Sequence, residues 1–239
     1  MSFKNRISRW SISAYKDWQG CPARYKYGRI DKLKPPDSPH LERGKKVHSL
    51  AEEFVKGNIQ GTPKELLSHE SHLKTIRDLK FETEVKWVVD HNWEPVTWGD
   101  WDNTWLIGVT DAHRYDPVEK HLDIIDHKTG RIYAKNHKDA GEVYALLGHS
   151  HYPDLESVSI EYWYVDQGSG ETGESPYEYD LDDLESLLDK WERRAASMLR
   201  EKKFEARPSQ MTCRFCNFRS NKALADGSPG PCQLWQKVL

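Results

Sequence analysis

Apolar residues between Leu41 and Lys56 fall at Val47, Leu50, Ala51, Phe54 and Val55, the recurrence of a helix with one face turned indoors. Downstream the period changes. "FETEVKWVVD", "TWLIGVTDAHRYD" and "HLDIIDHKTG" are β-rich runs, predicting strands over 82–90, 103–116 and 121–128. Only "PVEK" separates the last two, and Asp116-Pro117 suits the start of a type I turn in a four-residue hairpin loop. With Asp116 opposite His121, the register carried back along the hairpin sets Asp111 opposite Asp126.

The remaining pattern completes an α/β chain. "SRWSISAYKDWQGCPARYKYGRI" reads as a short helix behind a Ser cap, a turn at Gly20-Cys21-Pro22, and a second short helix. "KLKPPDSPH" is a Pro-rich loop, "GNIQGTPKE" a break, and 64–79 a shorter helical stretch. "HKDAGEVYALLGH" predicts a helix, "SVSIEYWYVD" a strand and "GSGETGES" a flexible turn. The run "LDDLESLLDKWERRAASMLREKKF" predicts a long amphipathic helix with Leu184, Leu187, Leu188, Trp191, Ala195 and Met198 on one face. The tail is irregular. The expected fold is a central mixed β-sheet flanked by helices. It forms one domain over 1–239 with a core at about 40–200, and 1–35 and 205–239 make a cap.

Composition narrows the function classes. Ten Trp and eleven Tyr in 239 residues argue for a packed globular chain despite 31% charged residues. The net charge of −3 means that a nucleic-acid partner would be met by a local basic patch, not by the field of the whole protein. No stretch is apolar enough to span a membrane and the start carries no secretory h-region, so the expected location is the cytoplasm, a host's if the gene is carried by a phage.

In "DIIDHKTG" Asp126 and Lys128 stand two apart and share a strand face. Carboxylates opposite one another on a hairpin repel, and a divalent cation between Asp111 and Asp126 would resolve that repulsion. Mg²⁺ takes oxygen ligands and keeps several waters, so two carboxylates can suffice. Lys128 on the same face could neutralise a phosphate or hold the attacking water. A solvated Asp–Lys pair is the commoner meaning of an arbitrary D-x-K; the hairpin register and the preceding isoleucines weigh against it. On the helix "LERGKKVHSLAEEF", His48 and Glu52 are four apart, on one face. Alone they would read as a surface pair, but an imidazole there could supply a nitrogen ligand better suited to Mn²⁺ than to Mg²⁺.

"RGKKVH" with Glu52, "GVTDAHRY", "DIIDHKTG" and "GEVYALL" together resemble the PD-(D/E)XK nuclease superfamily, with its restriction-endonuclease-like core. The likeness is to the RecB-like branch, which includes CRISPR-associated four-cysteine exonucleases and phage-encoded relatives. The resemblance implies a DNA exonuclease using Mg²⁺ or Mn²⁺ and working in recombination, repair or phage DNA processing, alone, as a homo-oligomer or with a repair partner. His48, Asp111, Asp126 and the backbone carbonyl of His127 become metal ligands, Lys128 the catalytic lysine and Glu52 a support. Tyr144 matches the tyrosine of the family's Gln-x-x-x-Tyr helix motif, whose glutamine position holds Ala140. That departure leaves room for a non-catalytic nucleic-acid-binding relative.

Cys213-x₂-Cys216, Cys232 and the distant Cys21 make a set that could ligate Zn²⁺, as an interaction module would, or an iron–sulfur cluster. The resemblance points to [4Fe-4S], one cysteine before the nuclease core and three after. Basic residues crowd both arms (Arg24, Lys26, Arg29, Lys32 and Lys34; Lys202, Lys203, Arg207, Arg214 and Arg219), interleaved with Tyr25, Tyr27, Phe215 and Phe218. Charges and stacking rings so mixed suit a single strand, and equally they suit the solvated faces of short helices.

Overall fold

The computed structural model describes residues 7–131, 137–167 and 177–239. Five strands make one sheet in the order β1 (Glu82–Val89), β2 (Leu106–Asp116), β3 (His121–Lys128), β4 (Ser157–Tyr164) and β5 (Tyr177–Asp180). β1 to β3 form an antiparallel meander, β4 runs parallel to β3, and β5 returns antiparallel. A parallel step needs a crossover, and α5 (Lys138–His151) lies between β3 and β4 in the chain. The α/β class and the mixed sheet match the pattern read from the sequence.

The hairpin register holds as predicted from Asp116↔His121 back to Ala112↔Ile125. Asp116 Oδ1 accepts the backbone N–H of Val118 at 3.0 Å and of Glu119 at 3.3 Å, which locks the loop. One side of the sheet is covered by α3 (Pro39–Val55), a 3₁₀ turn (Lys64–His69) and α4 (Glu70–Asp78). There Val47, Ala51, Phe54, Leu66, Leu73 and Ile76 pack with Ala112, Ile125 and Trp163. On the other side α5 comes close because two glycines allow it. A Cβ on Gly108 would meet Leu147 Cδ1 at 2.3 Å, and one on Gly148 would meet Leu122 Cδ2 at 2.3 Å.

Several boundaries differ from expectation. α3 begins inside the Pro-rich loop, at Pro39, where the missing N–H does no harm. β2 begins at Leu106, not 103, because 90–105 is an ordered loop. β5 is too short to have shown a period. α6 (Leu181–Leu199) buries Leu184, Leu187, Trp191, Ala195 and Met198 but stops before Lys202. Glu201 Oε1 there accepts the N–H groups of Lys202, Lys203 and Phe204, and Phe204 takes φ +50. The turn expected at "GSGETGES" lies outside the described residues.

The chain divides into two units, Pro39–Trp191 and Met1–Ser38 with Glu192–Leu239, the division falling inside α6. In the second, Ser11 Oγ caps α1 (Ile12–Gly20) through Ala14 N at 3.3 Å. α2 (Pro22–Tyr25) follows and continues as a π-turn to Ile30, and α7 (Gln210–Arg214) opens the tail. No described helix is long and apolar enough to cross a membrane.

Candidate active site

Strand alternation breaks at Asp111. Ala112 packs with the α3 side, yet its neighbour Asp111 reaches the same side to meet His48 on α3. Consecutive residues facing one way need a local twist of the ladder. β1 accommodates it at Glu84, which lies between the pairs Thr83↔Ala112 and Val85↔Thr110 with φ +53. That conformation is costly for a residue with a Cβ and recurs at functional sites. It brings a third group into play: ligand atoms of His48, Glu84 and Asp111 lie within 4.8 Å of one another. Sequence reasoning passed over Glu84, because a left-handed residue inside a strand-like run leaves no trace in periodicity.

Asp111 is the hub. Oδ1 stands 3.1 Å from His48 Nδ1, and Oδ2 accepts the backbone N–H of His127 at 2.7 Å. The group opens onto a groove of about 620 Å³ lined by Leu41, Lys45, Ser49, Glu52 and Val109 beside the three ligand residues. Asp126 is not among the three. Its buried carboxylate pairs with Lys128, whose Nζ lies 5.5 Å over the Tyr162 ring. Glu52 lines the groove but pairs with Lys56 at 2.5 Å, not with His48. Tyr144 packs its ring against Gly108 on β2. The His127 side chain is buried edge-on to Trp163.

The electrostatics set the two carboxylates of the three-residue group apart. Burial pushes Asp111 up, but the hydrogen bond and charge of His48, helped by His127 and Lys128, outweigh it and hold Asp111 below its ordinary range. Burial, then the charges of Asp111 and Glu52, push Glu84 up. Burial also raises Asp126, with Asp111 adding to it against Lys128. Burial would lower Lys128, but the carboxylates of Asp126 and Asp111 keep it above its usual value and therefore charged. His48 is raised: burial opposes its charge and Asp111 overcomes that. Burial drives His127 down to about 4, so its ring is neutral, and it lifts the Tyr144 phenol far above its ordinary range, with Asp126 and Asp111 contributing. Two carboxylates and an imidazole this close fit a divalent cation, which would relieve the repulsion that raises Glu84.

In the other unit, Cys21, Cys213, Cys216 and Cys232 line one cavity. The first three are buried and the fourth is half-buried. The backbone N–H of Arg207 points to Cys21 Sγ at 3.5 Å, and burial raises the Cys216 thiol. Two of the rings that the sequence offered for stacking are instead buried. Tyr25 is buried against Phe204, centroids 6.2 Å apart, and Phe218 is buried against Tyr27 at 5.7 Å. These rings were needed for a core. Phe215 alone of the four is exposed, at 72%. Arg24 and Arg29 both pair with Asp17, and Lys26 with Asp31.

No curated protein matches the chain. Among the solved structures that resemble it are these two. One is SSO0001, 18% identical, covering 89% of this chain and 84% of that one at a TM-score of 0.44. The other, from Eubacterium rectale and described as a candidate exonuclease, is 15% identical over 81% of this chain and 80% of that one, at 0.49. Neither likeness is high enough to add to what the sequence profile carries. The profile of the PD-(D/E)XK nuclease superfamily matches residues 9–221, a span that takes in every group just described except Cys232. A match over that much of the chain makes it a member of the PD-(D/E)XK nuclease superfamily.

Proposed function

We propose that this chain is a DNA exonuclease of the RecB-like, four-cysteine branch, hydrolysing phosphodiesters with Mg²⁺ or Mn²⁺. The observation that carries the reading is the gathering of His48, Glu84 and Asp111 within 4.8 Å, with the Asp126–Lys128 pair on the adjoining strand. His48, Asp111 and Glu84 would hold the ion, with Asp126 and the His127 carbonyl contributing from β3. When bound, it would acidify the attacking water and offset charge on the phosphate.

The chain's own groups do the rest. The His127 N–H and His48 fix the Asp111 carboxylate. Lys128, kept charged between Asp126 and the Tyr162 ring, offers its ammonium to a phosphate oxygen as negative charge grows there. The Tyr144 phenol, raised by burial, stays protonated. Water oxygen bonds to phosphorus as the P–O bond to the leaving nucleotide breaks; the water gives up its proton to solvent, and the leaving oxygen takes one up from solvent. The test is Mn²⁺-supported digestion of end-labelled linear DNA beside closed circular DNA. Release of labelled nucleotides from the linear form with the circle intact is the expected result. Cutting of the circle would make the enzyme an endonuclease, and no cleavage of either would overturn the reading.

The four cysteines are proposed to hold a [4Fe-4S] cluster. All four face one cavity, and thiolates so gathered can ligate an iron–sulfur cluster. Anaerobically purified protein should be brown and contain iron and sulfide; colourless protein carrying about one zinc would contradict it.

A further inference from the structure

The loop joining β1 to β2 carries four tryptophans, and the fold treats them in two ways. Trp93 is buried edge-to-face against Trp105, centroids 5.2 Å apart. Trp98 and Trp101 are turned outward, 43% and 45% exposed, and meet edge-to-face at 5.0 Å. Hydrogen bonds fix the loop to β1 and to itself. Val96 N bonds Val88 O at 3.0 Å, Trp105 N bonds Val89 O at 2.9 Å, and Thr104 closes on Asp100 O through both its N–H and its hydroxyl. The Asp100 carboxylate is taken up by its own turn, accepting from Asn103 N and Nδ2 at 3.3 and 2.8 Å.

The pair also stands at a defined place. Lys86 Nζ lies 4.6 Å over the Trp98 ring. Lys86 is cross-strand partner to Val109, which lines the groove over His48, Glu84 and Asp111 together with Lys45. From Glu84 to Lys86 is two residues along the edge strand β1, about 7 Å. Groove, cation and aromatic pair therefore follow one another along one edge of the sheet. Single exposed apolar side chains need no explanation, but an adjoining pair at a groove does.

We propose that Trp98 and Trp101, with Lys86, form a stacking platform for unpaired bases next to the cleavage site, so that the substrate is held as single-stranded DNA. Indole faces take up bases irrespective of sequence, and lysines track the backbone. Duplex bases are already stacked on one another and offer the platform nothing. The assignment of the groove rests on the nuclease reading; the platform itself is tested by binding alone.

The experiment measures fluorescence anisotropy of labelled oligothymidine and of a blunt two-strand duplex without divalent metal. It compares wild type, the double variant Trp98→Ala/Trp101→Ala, the ring-keeping Trp98→Phe/Trp101→Phe, and Lys86→Gln. The alanine pair should weaken oligothymidine binding by about tenfold or more and duplex binding by less than about twofold, while the phenylalanine pair retains most of the affinity. Lys86→Gln should lower the salt dependence of oligothymidine binding by about one counterion. Equal losses on both DNAs, or none, overturn the proposal. So does an alanine pair that alters only the association state of the protein, which would make the patch a protein interface. Should the alanine pair fail to fold, an unchanged salt slope in Lys86→Gln overturns it instead. Protein that binds single strands through this platform yet cuts no DNA would sink the nuclease reading and leave this one standing.

Discussion

The two units hold their functional groups together in opposite ways. In Pro39–Trp191 the acidic site is assembled by the protein's own bonds: Asp111 is held by His48 and by the His127 N–H, Asp126 by Lys128, all on a sheet with buried helices against it. In the other unit four thiols face one cavity, beside a small cluster of Cys216, Phe218 and Leu224 against Tyr27 and Leu33, and among the described residues no hydrogen bond or disulfide between the thiols gathers them. A preformed carboxylate site needs a cation for chemistry. A thiol site that draws on both ends of the chain would, with a centre bound, couple that centre to folding.

The sharpest way to break that contrast is Asp111→Asn. Cleavage should fall by roughly a thousandfold, the upper end for one lost electrostatic contact. The melting temperature should fall only slightly, because weaker bonds to His48 and the His127 N–H are partly offset by relief of the repulsion from Glu84. A variant that melts much earlier would mean that Asp111 holds the fold and is not spent on function.

Cys21→Ser probes the other side. Cys21 alone of the four cysteines comes from the N-terminal arm, and the loop it closes is the longest, where a cross-link restrains the unfolded chain most. The variant should lose its iron and its colour and show an early transition for the cysteine unit, while still binding Mn²⁺ through the sheet unit. Cys232→Ser should do less damage, with three ligands left. If Cys21→Ser melts as wild type does, the cysteines are no staple.

Acid should distinguish the units too. His113 in the sheet unit is buried between Trp87 and Tyr152, its Nε2 3.0 Å from the Tyr152 hydroxyl. Burial, with a smaller push from His151, lowers it to about 4. The unfolded chain takes up that proton near pH 6.5 and the folded one does not, so stability is full above that pH and falls as pH drops towards about 4. The loss is roughly 3 kcal/mol. His113→Gln should flatten this limb of a urea-melt series. A limb unchanged in the variant would assign it to other groups.

The smallest expected effect concerns Glu84. Glycine accepts φ +53 without strain, so Glu84→Gly should stabilise the sheet unit by about 1 kcal/mol while weakening Mn²⁺ binding. Unchanged Mn²⁺ affinity by calorimetry would remove Glu84 from the ligand set.

What could be read from the chain follows the range of the interactions. The 116–121 hairpin and the placing of Asp126 and Lys128 on one face were legible because an Asx-type loop and a period of two are local. α3 and α6 announced themselves by their stripes. Glu84 was hidden, since its role depends on a backbone twist forced by its cross-strand neighbour Asp111. Trp98 and Trp101 look like Trp93 and Trp105 until the loop is folded. The burial of Tyr25 and Phe218 was not legible either, because nothing local says that Phe204 and Tyr27 would claim them.

The most direct test of the division between holding the ion and using it is Lys128→Ala, followed in parallel by Mn²⁺ calorimetry and digestion of end-labelled linear DNA. Lys128 pairs with Asp126 and carries no ligand atom of the three-residue group. The variant should therefore bind Mn²⁺ at least as tightly as wild type and yet cut roughly a hundredfold or more slowly. Loss of Mn²⁺ binding, or cleavage at the wild-type rate, would contradict the role given to the lysine and with it the proposed site.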